Sequence, residues 1–168
     1  AFLNYTYNES SIVNAIVTDE NLTRTITYEN ITGNYRLNGN LSFNKQYQKG
    51  MNKFRMNLGV SASYGLNQGF NDNQKYESYN TTLSPTLRLN WDYGDYLTIS
   101  PSYRLNFTKS KYKNYQIDGQ DNITHNFGIR TIANWPKNLS WTNDFNYNYN
   151  SRMAAGFKRD FFLWNTSL

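Results

Sequence analysis

Five arginines are the residues of this chain whose type and spacing invite a chemical reading. Arg36, Arg55, Arg88, Arg104 and Arg130 fall on five successive segments in which every second residue is small and polar. Around Arg88 the set is Thr82, Ser84, Thr86, Arg88 and Asn90; around Arg130 it is Asn122, Thr124, Asn126, Gly128 and Arg130. Asp92 and Asp144 are the few acids on the same spacing. An excess of guanidinium over carboxylate on one surface could pair with carboxylates of another domain, or steer anionic solutes through its focused potential. Hydrogen bonding to neighbouring Asn and Thr and to water accounts for such arginines equally well. Catalysis is not suggested. His125 is the sole histidine and cysteine is absent, so neither a metal site nor a nucleophile with its base has donors. The glycines mark turns and bulges rather than a phosphate-cradling loop. No enzyme activity, cofactor or metal is expected.

The elements that must position these arginines are strands. Leu97, Ile99, Pro101, Tyr103, Leu105 and Phe107 are apolar or aromatic, and the residues between them are Thr, Ser, Arg and Asn. A strand turns successive side chains to opposite faces, so one face of this segment is apolar and the other polar. The pattern returns along a chain with no helical segment, which predicts an all-β, antiparallel barrel. Eight strand-like segments can be drawn: residues 2–18 with an interruption near Glu9-Ser10, 23–46 with Gly33 as a bulge, 53–66, 78–92, 96–112, 121–135, 139–150 and 161–168. Asp19-Glu20-Asn21 turns the first into the second. Short turns follow the second, fourth and sixth segments, at 48–50, 93–95 and 136–138, and longer polar loops at 67–77, 113–120 and 151–160 follow odd ones. Bacterial outer-membrane barrels have this asymmetry. Strands longer than the crossing requires would project beyond the membrane, most of all near Asp19.

The polar face sets the direction. Arg55, Asn57, Gly59, Ser61 and Ser63, and Ser140, Thr142, Asp144, Asn146 and Asn148, are the choice of a confined wet lumen, because a solvated strand face carries Lys and Glu. Here Lys and Glu gather at turns, loops and strand ends, as at Lys49, Lys75, Glu77, Lys113 and Lys158. The opposite face holds Phe54, Met56, Leu58 and Val60, then Leu83, Pro85, Leu87 and Leu89. Trp91, Trp135 and Trp141 lie beside short turns, as one aromatic girdle requires, and Tyr79, Tyr147, Tyr149 and Phe162 supply the other. A mean hydropathy of −0.80 with 17% aromatic residues fits one-sided transmembrane strands better than disorder. The +5 net charge does not indicate nucleic acid, since Arg and aromatics alternate onto opposite faces and share no groove.

The stretch from Tyr35 to Leu168 resembles the Bacteroidota outer-membrane β-barrel family related to TonB-dependent receptors. The resemblance is carried by Ile31-Thr32-Gly33-Asn34-Tyr35, Leu83-Ser84-Pro85-Thr86-Leu87-Arg88, Tyr103-Arg104-Leu105 and the end from Arg159 to Leu168. It implies a barrel of about 22 strands with a plug, taking nutrients across the outer membrane with TonB energy. The partners it implies are outer-membrane lipid, the remainder of its own barrel and plug, TonB and a surface lipoprotein. The chain shows no signal peptide, plug or TonB box, and it stops at Leu168 without a terminal aromatic. The expectation is a single barrel segment, residues 1–168, of a longer outer-membrane protein. Two alternatives remain open: a structural or assembly barrel without transport, and a soluble carbohydrate-binding all-β domain.

Overall fold

The computed structural model describes residues 1–18, 20–71, 74–115, 118–136, 139–154 and 156–168. Ten strands form one sheet: β1 (Phe2–Asn8), β2 (Ser11–Thr18), β3 (Arg24–Ile31), β4 (Asn34–Lys49), β5 (Asn52–Asn71), β6 (Gln74–Tyr93), β7 (Leu97–Lys113), β8 (Gln120–Ala133), β9 (Trp141–Asn150) and β10 (Asp160–Ser167). No helix occurs among the described residues. The neighbours run β1-β4-β5-β6-β7-β8-β9-β10, so β1 and β10 end the path and the sheet is not closed. Pairing is antiparallel apart from a short parallel contact of β2 with β5, at Ala15 with Phe70 and Ile16 with Asn71.

The strand count is therefore ten, not eight. The first segment breaks at Glu9-Ser10, so that β1 and β2 pair with different strands. The second breaks at Thr32-Gly33, and Gly33 is a corner rather than a bulge. Its φ of +89° suits glycine, and its N–H donates to the Asn8 carbonyl at 3.3 Å. The expected loop at 67–77 is also corrected, because β5 runs to Asn71 and β6 starts at Gln74. At Gly69 a Cβ would lie 2.7 Å from the Tyr76 hydroxyl, so the tyrosine lies against bare backbone. The alternation of short and long connections is weaker than expected, since residues 134–140 separate β8 from β9. Asn134, just past β8, still holds to the residues just before β7: its N–H donates to the Tyr96 carbonyl at 2.8 Å and its side chain to the Asp95 carbonyl at 2.8 Å. Of the expected turns, Asp19, Lys137 and Asn138 lie outside the described residues, as do Asp72 and Asn73 of the expected loop.

Contacts divide the chain into two compact units. Unit 1 holds residues 1–39, 62–83 and 108–121; unit 2 holds 40–61, 84–107 and 122–168. Unit 1 contains every large buried apolar side chain among the described residues, namely Ile31 and Leu66, together with buried Ala15 and Ser78. The β2–β3 hairpin makes that core possible. Its ladder sets Ala15 opposite Thr27, whose hydroxyl donates to the Ala15 carbonyl at 3.3 Å. Unit 2 buries no large apolar side chain among its described residues.

Candidate functional site

The ladder between β8 and β9 fixes the faces of unit 2 directly. Ala133 stands opposite Trp141, Ile129 opposite Phe145, Phe127 opposite Tyr147 and His125 opposite Tyr149. The intervening pairs are Arg130 with Asp144, Gly128 with Asn146 and Asn126 with Asn148. Opposed residues share a face, so apolar and polar chemistry largely separate across this pair of strands, the exceptions being Thr131 with Asn143 on the apolar face and Ile132 opposite Thr142 on the polar one.

On the polar face the side chains bond to one another. Arg55 donates to Asp92 Oδ2 at 2.8 Å, and Asp92 Oδ1 also accepts from Asn90 at 2.8 Å and Thr98 at 2.9 Å. Ser100 donates to Asn90 Oδ1 at 2.7 Å, Ser84 to Asn106 Oδ1 at 2.5 Å, Asn126 to Asn148 Oδ1 at 2.5 Å and Asn57 to Asn44 Oδ1. Arg130 Nε lies 3.9 Å from Asp144 Oδ1. The two acids are thus taken by Arg55 and Arg130. Arg88 and Arg104 meet no carboxylate among the described residues. Both line one polar concavity of about 560 Å³ with Asn57, Ser84, Asn106 and Thr124. Arg36, the fifth expected arginine, belongs to unit 1, where the backbone at Tyr35 and Arg36 runs close over Gly65.

The apolar face of unit 2 is open. Leu58 is 41% exposed and Trp141 43%, and no second layer of this chain covers them among the described residues. Its indoles bond sideways to neighbouring strands: Trp91 Nε1 to Asn52 Oδ1 at 3.1 Å, Trp141 Nε1 to Thr166 Oγ1 at 2.9 Å. Trp135 differs from the expectation, since it lies in the connection after β8, is 75% exposed and takes its position from no ladder. At the other end of these strands Tyr147 stacks against its opposite number Phe162, with centroids 5.0 Å apart. Tyr149 lies 5.5 Å from the ring of His125, whose Nδ1 is 2.6 Å from the Tyr103 hydroxyl. Tyr79 belongs to unit 1 and donates to Glu77 Oε2 at 2.8 Å.

Sequence reasoning missed Trp164, whose indole donates to Asn143 Oδ1 at 3.2 Å on the same face as Phe162. Its even spacing from Phe162 was the available signal. Also missed were Phe161 and Leu163, which stand opposite Asn148 and Asn146 and so bring apolar side chains to the polar face at β10. No protein-family model, curated protein or solved structure matches the chain, so its function is argued from this geometry.

Proposed function

We propose that this chain is part of the wall of a bacterial outer-membrane β-barrel, that of a TonB-dependent-receptor-like transporter. Solute is captured by the loops on one side of the membrane and passes along the polar face, which lines the lumen. The observation that carries the reading is the contrast within unit 2: a hydrogen-bonded layer of Asn, Ser, Thr, Arg and Asp on one face, and an uncovered apolar face on the other. A soluble sheet covers its apolar face with a second layer of its own. A transmembrane strand leaves that face to lipid.

The dimensions support it. From Leu97 to Phe107 the apolar positions of β7 span ten residues, which at about 3.3 Å each and a tilt of about 40° cover roughly 25 Å, the height of the apolar band of such barrels. Ile123 to Ala133 in β8 spans the same number. The carbohydrate-binding alternative needs an aromatic platform to stack sugar, whereas the rings here spread along the whole apolar face of β8 to β10. Closure into a larger barrel is part of the proposal, because β1 and β10 leave two unpaired edges that lipid cannot satisfy.

Single cysteines at Leu87 and Arg88 of the full-length protein in native membranes test the faces. A lipophilic maleimide should label Leu87→Cys, and a charged one should label Arg88→Cys. Reversal of the two, or recovery of the protein in the aqueous fraction without detergent, sinks the membrane reading. Transport is tested separately: uptake by cells carrying the intact gene should stop when the proton-motive force is collapsed.

A further inference from the structure

Four arginines and two acids occupy the polar face of unit 2, and the ion pairs do not share them evenly. Arg55 and Arg130 have Asp92 and Asp144; Arg88 and Arg104 have neither. The two left over are on neighbouring strands, β6 and β7, and line the same two concavities, of about 120 and 560 Å³. Each concavity has a glycine in its lining. A Cβ at Gly59 would lie 2.7 Å from Thr86 Oγ1, and one at Gly128 would lie 2.9 Å from Asn146 Oδ1. Most of the remaining lining of the larger concavity is amide and hydroxyl, with Asn57, Ser84, Asn106 and Thr124 carrying no charge and Val60 the one apolar side chain.

We infer that Arg88 and Arg104 form an oxyanion subsite on the polar face, which holds a carboxylate, phosphate or sulfate group of a small solute. The planar guanidinium fork matches two oxygens of such a group, and neighbouring strands supply two such forks to the same concavities. The hydroxyl and amide lining suits the polar remainder of the solute. The same field draws anions toward the face before contact. This deepens the proposed function by naming the class of solute, and it rests on that reading only for the idea that a solute passes there.

Residue-resolved arginine modification tests it on the full-length protein in detergent micelles. Phenylglyoxal should modify Arg88 and Arg104 faster than Arg55, as peptide mass spectrometry reads. At about 10 mM citrate or inorganic phosphate, a site with a Kd near 1 mM should slow modification of those two about tenfold, against chloride of matched ionic strength. Sucrose should protect neither. Arg104→Gln, a change at an exposed side chain, should abolish the protection of Arg88 while Arg55 keeps its own rate. Equal protection of all arginines means screening without a site and overturns the inference. So does a lack of reaction at Arg88 and Arg104 without added anion, which would mean that a carboxylate elsewhere in the full protein already holds them. Failure of the membrane reading shows up separately, in the labelling of Leu87→Cys and in detergent-free extraction.

Discussion

Unit 1 and unit 2 share strands β4 to β8 but solve the problem of apolar surface in opposite ways. Unit 1 covers its own: the β2–β3 hairpin adds Ala15 and Ile31 to a small core with Leu66, and Ile31 is only 2% exposed. Unit 2 buries no large apolar side chain among its described residues and leaves Leu58 and Trp141 exposed. The alternate face of β7 shows the change along a single strand. From Leu97 to Phe107 it is apolar, and then it becomes Lys109, Lys111 and Lys113. Lys109 reaches Asp121 at 3.2 Å and Lys113 approaches Glu77 at 3.9 Å, all within unit 1. That end of the face carries ion pairs, whereas Leu58 and Trp141 of unit 2 stand exposed. One continuous strand thus changes the character of a face along its length, because each residue's surroundings are set by its own neighbours.

Ile31→Ala should have the largest effect and should stay within unit 1. Emptying a fully buried isoleucine costs about 2–5 kcal/mol. Limited proteolysis of the full-length protein should show new cleavage within residues 20–33, with the strands of unit 2 still protected. Equal loss of protection in both units would break the distinction between them.

Leu58→Arg sharpens it next. In a soluble sheet a residue already 41% exposed tolerates the change to within about 0.5 kcal/mol. In a bilayer the same arginine costs about 2–4 kcal/mol near the midplane, which a guanidinium titration of protein folded into lipid vesicles would read. A neutral result removes lipid from the account of this face.

Two glycine substitutions give the smallest effects and compare the units at the level of backbone. A Cβ at Gly65 in unit 1 would lie 2.9 Å from the Tyr35 carbonyl oxygen, so backbone must move, at about 1–3 kcal/mol. At Gly128 in unit 2 the obstacles are the ends of the Asn146 and Ser102 side chains, which can turn aside for under about 1 kcal/mol. The same unfolding titration should rank Gly65→Ala below Gly128→Ala in stability.

The all-β class and the two faces of each strand were legible in the sequence, and the reason is backbone geometry. A period of two survives whatever partner a strand finds, so Arg130 and Asp144 could be set on the polar face, and Phe127 and Tyr147 on the other, before any ladder was known. Where strands break was less legible. The break at Glu9-Ser10 was visible in the pattern, but the one at Gly33 was not: β3 pairs with β2 while β4 pairs with β1 and β5, and such non-local choices leave little trace in local pattern. The polar run 67–77 reads as loop by composition, yet pairing holds β5 and β6 to Asn71 and Gln74. Which arginines are satisfied belonged to the tertiary structure alone. Arg55 and Arg88 look alike in sequence, but only the tertiary structure decides that Asp92 comes within 2.8 Å of the first, while the second lines a concavity with Arg104 and meets no carboxylate among the described residues. Alternation is a property of one strand, and pairing is a property of two.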